Sequence, residues 1–253
     1  MGRLLSLPSN EIDISWEDPE EKRTAFYKAC YYGHTAIAQL FLADARTLVS
    51  HQQGQGATPL YIFCFDGRIE FVKLLLADLR VDVNLRREDE TTSFFVACQE
   101  GHLEVVKLLL DDGRADLNQQ RRDTISPAWI ASQNGHLGIV KELIASWEPV
   151  RGLTEPCGAG VFVWNSRTAA QQARSSGFQQ LAVLLEEYAG KREETAMRIR
   201  KELGKFSKSQ STVVCTLHKF QKGGSCQESS RTIAQNPPAL SFSLTLPFVV
   251  WLI

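Results

Sequence analysis

Cysteine is scarce in this chain: six residues in 253 are too few for a scaffold built on disulfides. Long apolar runs are missing as well. No uninterrupted stretch reaches the ~20 residues of a membrane-spanning helix. The apolar part of Met1-Gly2-Arg3-Leu4-Leu5-Ser6-Leu7-Pro8 is too short for a signal peptide. Net charge is nearly absent, 28 Lys and Arg against 29 Asp and Glu, so the whole chain makes no case for nucleic-acid binding. An intracellular, cytoplasmic protein without a nucleic-acid partner is expected. What is present is an apolar content of 43%. That is near the globular average, too much for a disordered or collagen-like chain. At ~100–200 residues per domain, the length allows one domain or a small two.

An internal period decides between these. Gly33-His34, Gly67-Arg68, Gly101-His102 and Gly135-His136 recur at a spacing of 34 residues. Nine residues before each Gly stands a hydroxyl: Thr24, Thr58, Thr92 and Ser126. A fifth copy follows at Thr168 and Gly177, again nine apart but 42 residues after Gly135. Cys30, Cys64, Cys98 and Ser132 form another column, and apolar pairs such as Val105-Val106 and Leu109-Leu110 recur in phase behind each Gly.

Each column has a physical reading. The hydroxyl caps a helix, and Pro59 or Pro127 behind it has no amide to leave unpaired. The helix runs to the Gly, which takes the left-handed conformation that ends it. A second helix follows, with apolar residues at helical spacing and Glu104 and Lys107 on the wet side. Asp82-Val83-Asn84 and Asp116-Leu117-Asn118 then suit a tight turn into an extended loop. Such a unit cannot bury its apolar face alone, so copies must stack.

Thr58-Pro59-Leu60-Tyr61, Gly101-His102, Val105-Val106, Leu108-Leu109-Leu110 and Asp82-Val83-Asn84 resemble the ankyrin repeat pattern, over about Trp16 to Ala189. The resemblance implies an all-α repeat solenoid: stacked helix-turn-helix ankyrin repeats with β-hairpin loops, five repeats including terminal caps. The expected organisation is an N-terminal extension (1–15), repeats at about 20–53, 54–87, 88–121, 122–155 and 164–189, an insertion at 154–164 read as an enlarged hairpin loop, an extra helix (190–204), and a flexible basic linker with a short apolar tail (205–253). The sequence departs from the family at its first-helix His, where Tyr27, Tyr61, Phe95, Trp129 and Gln171 stand; aromatic stacking between repeats is the expected substitute. The family's Gly two residues before the hydroxyl survives at Gly56 and is replaced by Lys22, Glu90 and Thr124.

Ankyrin domains generally bind proteins with the concave face made by hairpin tips and first helices. Carried onto this chain, the partner-facing positions are Tyr31, Tyr32, Phe65, Asp66, Gln99, Glu100, Gln133 and Asn134 before each Gly. The tips add Arg23, Thr91 and Ile125, with Glu88, Asp89, Arg122 and Asp123. Tyr31, Tyr32 and Phe65 are the expected energetic centre, since aromatic side chains offer large rigid contact area.

No catalytic constellation is found, and no cofactor or metal is expected. The Cys column and the His column (His34, His102, His136) are each spread one repeat apart, about 10 Å if helix spacing is the guide, so neither converges on one ion. Disulfides need Cα atoms within ~7 Å. Small buried thiols and local hydrogen bonding by His are expected instead. Gly158-Ala159-Gly160 lacks the Lys-Ser/Thr end of a phosphate loop, and Cys215, His218 and Cys226 offer three ligands against the usual four of zinc.

After Ala189 the pattern changes. Ala196, Ile199 and Leu203 make a thin apolar stripe on a helix closed by Gly204, able to dock on the last repeat. The apolar end, Ala239 to Ile253, is 15 residues long and interrupted by Pro247, short of a span, so membrane contact by the tail is not expected. Met1-Gly2 with Ser6 fits a bare myristoylation pattern, against which Arg3 speaks. Residues 1–189 hold 18 basic and 25 acidic residues, and residues 190–253 hold 10 and 4. The neutral total thus cancels an acidic solenoid against a basic tail, which favours a partner of basic or mixed charge for the solenoid. The leading expectation is a non-catalytic, monomeric adaptor or scaffold. Its competitors are a regulatory fragment of a larger enzyme or channel, and a peripheral membrane adaptor using the basic helix and apolar end.

Overall fold

The computed structural model describes residues 13–156 and 167–205. Eleven helices are found among them: α1 (Ala25–Tyr31), α2 (Thr35–Ala43), α3 (Pro59–Asp66), α4 (Ile69–Leu76), α5 (Ser93–Glu100), α6 (Leu103–Asp112), α7 (Pro127–Gln133), α8 (Leu137–Ala145), α9 (Ala169–Ser175), α10 (Gln179–Gly190) and α11 (Arg192–Glu202). The extension 1–12, most of the insertion and the tail from residue 206 lie outside the described residues, and with them the expectations for Gly2, Gly158–Gly160, Cys215, His218, Cys226 and the apolar end. The helices belong to the compact unit that ends at Leu203.

The odd-numbered helices up to α9 each start at a column hydroxyl, whose oxygen accepts the amide three residues on. Thr24 caps Tyr27 at 3.1 Å, Thr58 caps Tyr61 at 3.1 Å, Thr92 caps Phe95 at 3.2 Å, Ser126 caps Trp129 at 3.2 Å and Thr168 caps Gln171 at 3.3 Å. Each such cap stabilises by about 1 kcal/mol. α3 and α5 end at Gly67 and Gly101, which sit at φ +69° and +84°. Glycine is needed there twice over. A Cβ on Gly67 would lie 2.6 Å from the His102 ring, and one on Gly101 would lie 2.4 Å from the His136 ring.

Those rings correct one expectation. His102 and His136 do not bond locally: His102 Nε2 donates to Phe65 O at 2.8 Å and His136 Nε2 to Gln99 O at 3.0 Å, each in the preceding repeat. The imidazole reaches across because the Gly beneath it offers no side chain to hold it off.

Packing runs in two layers. The first helices touch in the order α1, α3, α5, α7, α9, and the second helices in the order α4, α6, α8. Between them lies one continuous apolar core in which Phe63, Val72, Phe95, Val106 and Val140 are fully enclosed. Cys30, Cys64 and Cys98 are buried free thiols in this core. Burial pushes the Cys30 thiol up to about 12 and those of Cys64 and Cys98 higher still, so these are inert packing residues.

Two further columns with the 34-residue period make contacts between repeats. The first is Asp-x-Arg: Asp44/Arg46, Asp78/Arg80 and Asp112/Arg114, with closest contacts of 2.6, 2.6 and 2.7 Å. The carboxylate fixes the guanidinium, whose free edge turns to the second helix of the repeat before. Arg80 donates to Leu42 O at 2.8 Å and to Asp44 O and Ala45 O at 3.2 Å. Arg114 donates to Leu76 O at 2.8 Å and Val81 O at 3.1 Å. Orphan helix-end carbonyls are thereby satisfied by the neighbouring repeat. The second column is Ser50, Asn84 and Asn118. Asn84 Nδ2 donates to Arg114 O at 2.8 Å while its Oδ1 accepts the Asp116 amide at 2.8 Å. Asn118 bridges Pro149 O and the Arg151 amide at 2.9 and 2.7 Å in the same way. The turn-forming role expected of these Asn residues is joined by a bridge between repeats.

At the C-terminal end the pattern breaks and is repaired. Position 148, where the next Arg would stand, is Glu148. The helix α11 packs on α8 and α10 and buries Thr195, Ala196 and Ile199. From it Arg200 donates to Ala145 O at 2.9 Å and Ser146 O at 2.8 Å, at the C-terminus of α8. Its guanidinium lies 3.9 Å from the centre of the Trp147 ring, and Glu202 pairs with Lys141 at 3.0 Å. The extra helix therefore docks on the fourth repeat as well as the fifth. The fifth repeat is wet on its outside, as expected of a cap, with Gln171, Arg174, Gln179 and Gln180 exposed.

The Asp-Arg clips make stability sensitive to acid. Arg46 holds the Asp44 carboxyl down to about 2, and Arg80 holds Asp78 below the usual carboxylate range. A carboxyl with a lowered folded pKa contributes fully above its unfolded value of ~3.9 and loses that contribution as pH falls through the folded value. The urea midpoint should therefore drop between pH ~4 and ~2. Asp78→Asn should lower the midpoint at pH 7 and flatten part of the acid-side drop.

Candidate protein interface

Each tip preceding a first helix is a short turn. In the second repeat Gln53 N donates to Ala57 O at 3.1 Å and Gly56 N to Gln53 O at 2.6 Å. The third and fourth repeats copy this with Arg87–Thr91 and Glu90–Arg87, then Arg121–Ile125 and Thr124–Arg121, at 2.8–3.0 Å. The expected β-hairpins are reduced to these turns. Among the described residues no strand forms, and the pairing is limited to an isolated bridge between Glu17 and Thr24. The arms are too short to pair further. Neighbouring tips are joined by one backbone bond each: Gly54 N to Glu21 O, Glu88 N to Gln55 O, and Arg122 N to Asp89 O, at 3.1–3.3 Å.

The tips also hold an unusual backbone column. Gly56 sits at φ +79°, and so do the residues that replace glycine there: Lys22 at +52°, Glu90 at +67° and Thr124 at +66°. Left-handed backbone costs an L-residue about 1–2 kcal/mol, and a β-branched one is the worst suited. Thr124 also buries its hydroxyl without a hydrogen-bond partner.

Expected stacking between the aromatic residues of adjacent repeats is not what replaces the family's His. Instead a tip arginine of the next repeat lies over the ring. Arg87 stands 5.1 Å from the Tyr61 centroid and donates to its hydroxyl at 3.2 Å, and Arg121 stands 5.7 Å from Phe95. Trp129 Nε1 donates to Arg167 O at 3.2 Å. Cation-over-ring contact is made there because Arg occupies the tip at 87 and 121; at 53 the residue is Gln, and the Tyr27 ring is covered instead by Arg23, 5.7 Å from its centroid.

The first repeat concentrates the aromatic surface. Tyr27 and Tyr31 stack with centroids 6.3 Å apart, Tyr31 and Tyr32 meet edge to face at 5.3 Å, and Arg23 lies 5.2 Å from the Tyr31 ring. Tyr27 is buried, which pushes its hydroxyl up to about 12. Tyr31, Tyr32 and Phe65 are 41%, 65% and 47% exposed. Arg23 is half-buried and held in place by Gln53 and Glu21, both at 2.9 Å.

The remaining expected positions divide. Asp66 is paired with Arg68 at 3.0 Å. Gln99 donates to Glu100 at 2.8 Å, and its carbonyl accepts Asn134 Nδ2 at 2.8 Å. Gln133 is half-buried and Asn134 exposed. Glu88 is exposed, with its carbonyl taken by the Arg122 guanidinium. Asp123 pairs with Arg121 at 2.5 Å, which lowers its pKa. Asp89 accepts the Thr91 amide and hydroxyl at 3.1 and 2.5 Å. Thr91 is thereby a correction: it is 3% exposed and belongs to the inside of the tip. Ile125 is half-buried against the core.

Among the described residues no group of three or more His, Cys, Asp or Glu could hold a metal ion, and no helix is long and apolar enough to cross a membrane.

A family model described as ankyrin repeats (3 copies) matches residues 3–87, 45–121, 67–152 and 94–196 in overlapping windows. The chain belongs to the ankyrin repeat family. Ankyrin repeats are generally protein–protein interaction modules, and domains built from them are typically non-catalytic. The chain gives no significant match to curated proteins.

The strained tips generate a stability prediction. Thr124→Gly should raise stability by ~0.5–1 kcal/mol and Glu90→Gly by less, as ~1–2 kcal/mol of left-handed strain is relieved against the ~0.5–1 kcal/mol entropy cost of glycine. Gly56→Ala should lower it, since its Cβ would meet Arg87 Cα at 3.0 Å. Urea midpoints of the three variants check the signs.

Proposed function

We propose that the protein is a non-catalytic adaptor or scaffold that grips a partner on the concave face of its stack, centred on Tyr31 and Tyr32. The observation that carries this is the exposed aromatic cluster of Tyr31 and Tyr32 over Arg23 at the end of a first helix. Phe65 stands at the same register one repeat on. Rigid aromatic rings beside an immobilised arginine are the residue types that dominate interface energetics. Around them Asp66, Glu88, Asp89, Gln99, Glu100, Arg122, Asp123, Gln133 and Asn134 form a polar rim, much of it held by hydrogen bonds inside the tips. The acidic balance of the solenoid suits a partner of basic or mixed charge, and a monomer is sufficient for this role.

The test is recovery of a partner with the full chain as bait, followed by measured affinity of the purified pair. Tyr31→Ala with Tyr32→Ala should weaken binding by at least ~30-fold, the equivalent of a ~2 kcal/mol hot spot, with an unchanged helical circular-dichroism spectrum. Unchanged affinity in a folded double variant would refute the assignment.

A further inference from the structure

The face bearing Tyr31 and Tyr32 changes chemistry from repeat to repeat. The two residues before each repeat's glycine are Tyr31-Tyr32, Phe65-Asp66, Gln99-Glu100, Gln133-Asn134 and Ser175-Ser176. They stand at the ends of α1, α3, α5, α7 and α9, which touch one another in that order. The register runs from aromatic rings, through a ring beside a carboxylate and an amide beside a carboxylate, to amides and then hydroxyls. Its two carboxylates are not equivalent. Asp66 is compensated by the Arg68 guanidinium at 3.0 Å. Glu100 is exposed, and the neutral Gln99 amide that donates to it at 2.8 Å leaves its charge in place. On the tips, Arg87 and Arg121 compensate Asp89 and Asp123 at 3.6 and 2.5 Å.

The spacing of the register selects a backbone. Packed helices stand about 8–10 Å apart. A polyproline II chain rises about 3.1 Å per residue with three residues per turn, so its every third side chain points the same way at about 9 Å intervals. A β-strand presents one face at every second residue, about 6.8 Å apart, and falls out of step at once. A helix repeats its face about every 10.5 Å, at seven residues, but it satisfies its own backbone groups and needs a continuous apolar stripe. Beyond Phe65 this face offers the Gln133 amide and the Oδ1 acceptor of Asn134 instead. Such groups suit a chain whose backbone N–H and C=O groups are open, and aromatic rings are the surface on which polyproline II segments dock.

Resting on the concave-face reading, we propose that the occupant is a polyproline II segment of another protein, read at every third residue: apolar, apolar, then Lys or Arg. The first apolar side chain sits against Tyr31 and Tyr32, and the second against Phe65. The cation meets Glu100, where charge complementarity selects it. The order along the stack is the same whichever end of the segment leads.

The probes are two fluorescent peptides with the cores Leu-Pro-Ser-Leu-Pro-Ser-Lys and, in the opposite order, Lys-Pro-Ser-Leu-Pro-Ser-Leu. Their anisotropy is titrated with the full chain. Each is compared with a control of the same composition in which one Leu is moved by one position, off the shared face. One of the two should bind at least ~10-fold tighter than its control, a difference of ~1.4 kcal/mol. Phe65→Ala should remove most of that preference. Glu100→Gln should weaken the peptide ~5-fold, as for an exposed ion pair of about 1 kcal/mol, and should not affect the peptide whose Lys is replaced by Ser. Glu100→Lys should be rescued by a peptide with Glu in place of Lys. Equal binding of peptide and control, no binding of either order, or tighter binding of an Ala-rich helical peptide with Leu at heptad spacing would overturn the inference. So would a Glu100→Gln effect of equal size on the Lys and Ser peptides. If these peptides fail while a recovered partner still loses affinity on Tyr31→Ala with Tyr32→Ala, the concave-face reading stands and the conformation assigned to the segment is refuted.

Discussion

A short helix leaves polar groups at its ends that it cannot satisfy itself, and the organisation of this protein follows from where those groups find partners. Helices of seven to twelve residues are marginal alone in water. Each first helix receives a hydroxyl cap from its own tip. The C-terminal carbonyls of α2 and α4 are instead met by Arg80 and Arg114, one repeat further along. A repeat is thus complete only when its neighbour is in place. Where the column residue is lost, at Glu148, an arginine from α11 fills the role at the end of α8. Stability of this kind is a sum of neighbour interfaces rather than of independent units.

The same couplings separate the two sides of the molecule. Arginine clips and asparagine bridges occupy the ends of the second helices and the turns that follow. The tips are held by their own backbone bonds and by arginines lying over rings. Tyr31, Tyr32 and Phe65 are left exposed at the ends of first helices with their backbones already anchored. A surface prepared in this way loses little conformational freedom on binding, which is the physical basis for reading it as the place where a partner sits.

The layout of caps, glycines and buried thiols was legible in the sequence because each rests on a local rule. A hydroxyl nine residues before a glycine specifies a cap and a stop without reference to the rest of the chain. The Asp-x-Arg and Asn columns were equally periodic, yet their meaning lies in a contact made some 30 residues away, and an ion pair on an exposed loop looks like a solvated one. Thr91 was misjudged for a related reason: its neighbour Asp89 draws the hydroxyl inward. Lys22, Glu90 and Thr124 were visible as departures from glycine, but their left-handed backbone became evident only in the fold. The docking of α11 on the last repeat was foreshadowed by Ala196 and Ile199, whereas its contact with α8 was not, since Arg200 replaces a residue from a different element and gives no periodic signal.

The central claim is that a partner contacts the face bearing Tyr31, Tyr32 and Phe65. A photo-crosslinking amino acid placed at Phe65, and in a second variant at the exposed Leu79 beyond α4, addresses it most directly in cells. The account predicts a covalent adduct of one defined mass from position 65 and none from position 79. An adduct from position 79 with none from position 65 would contradict it.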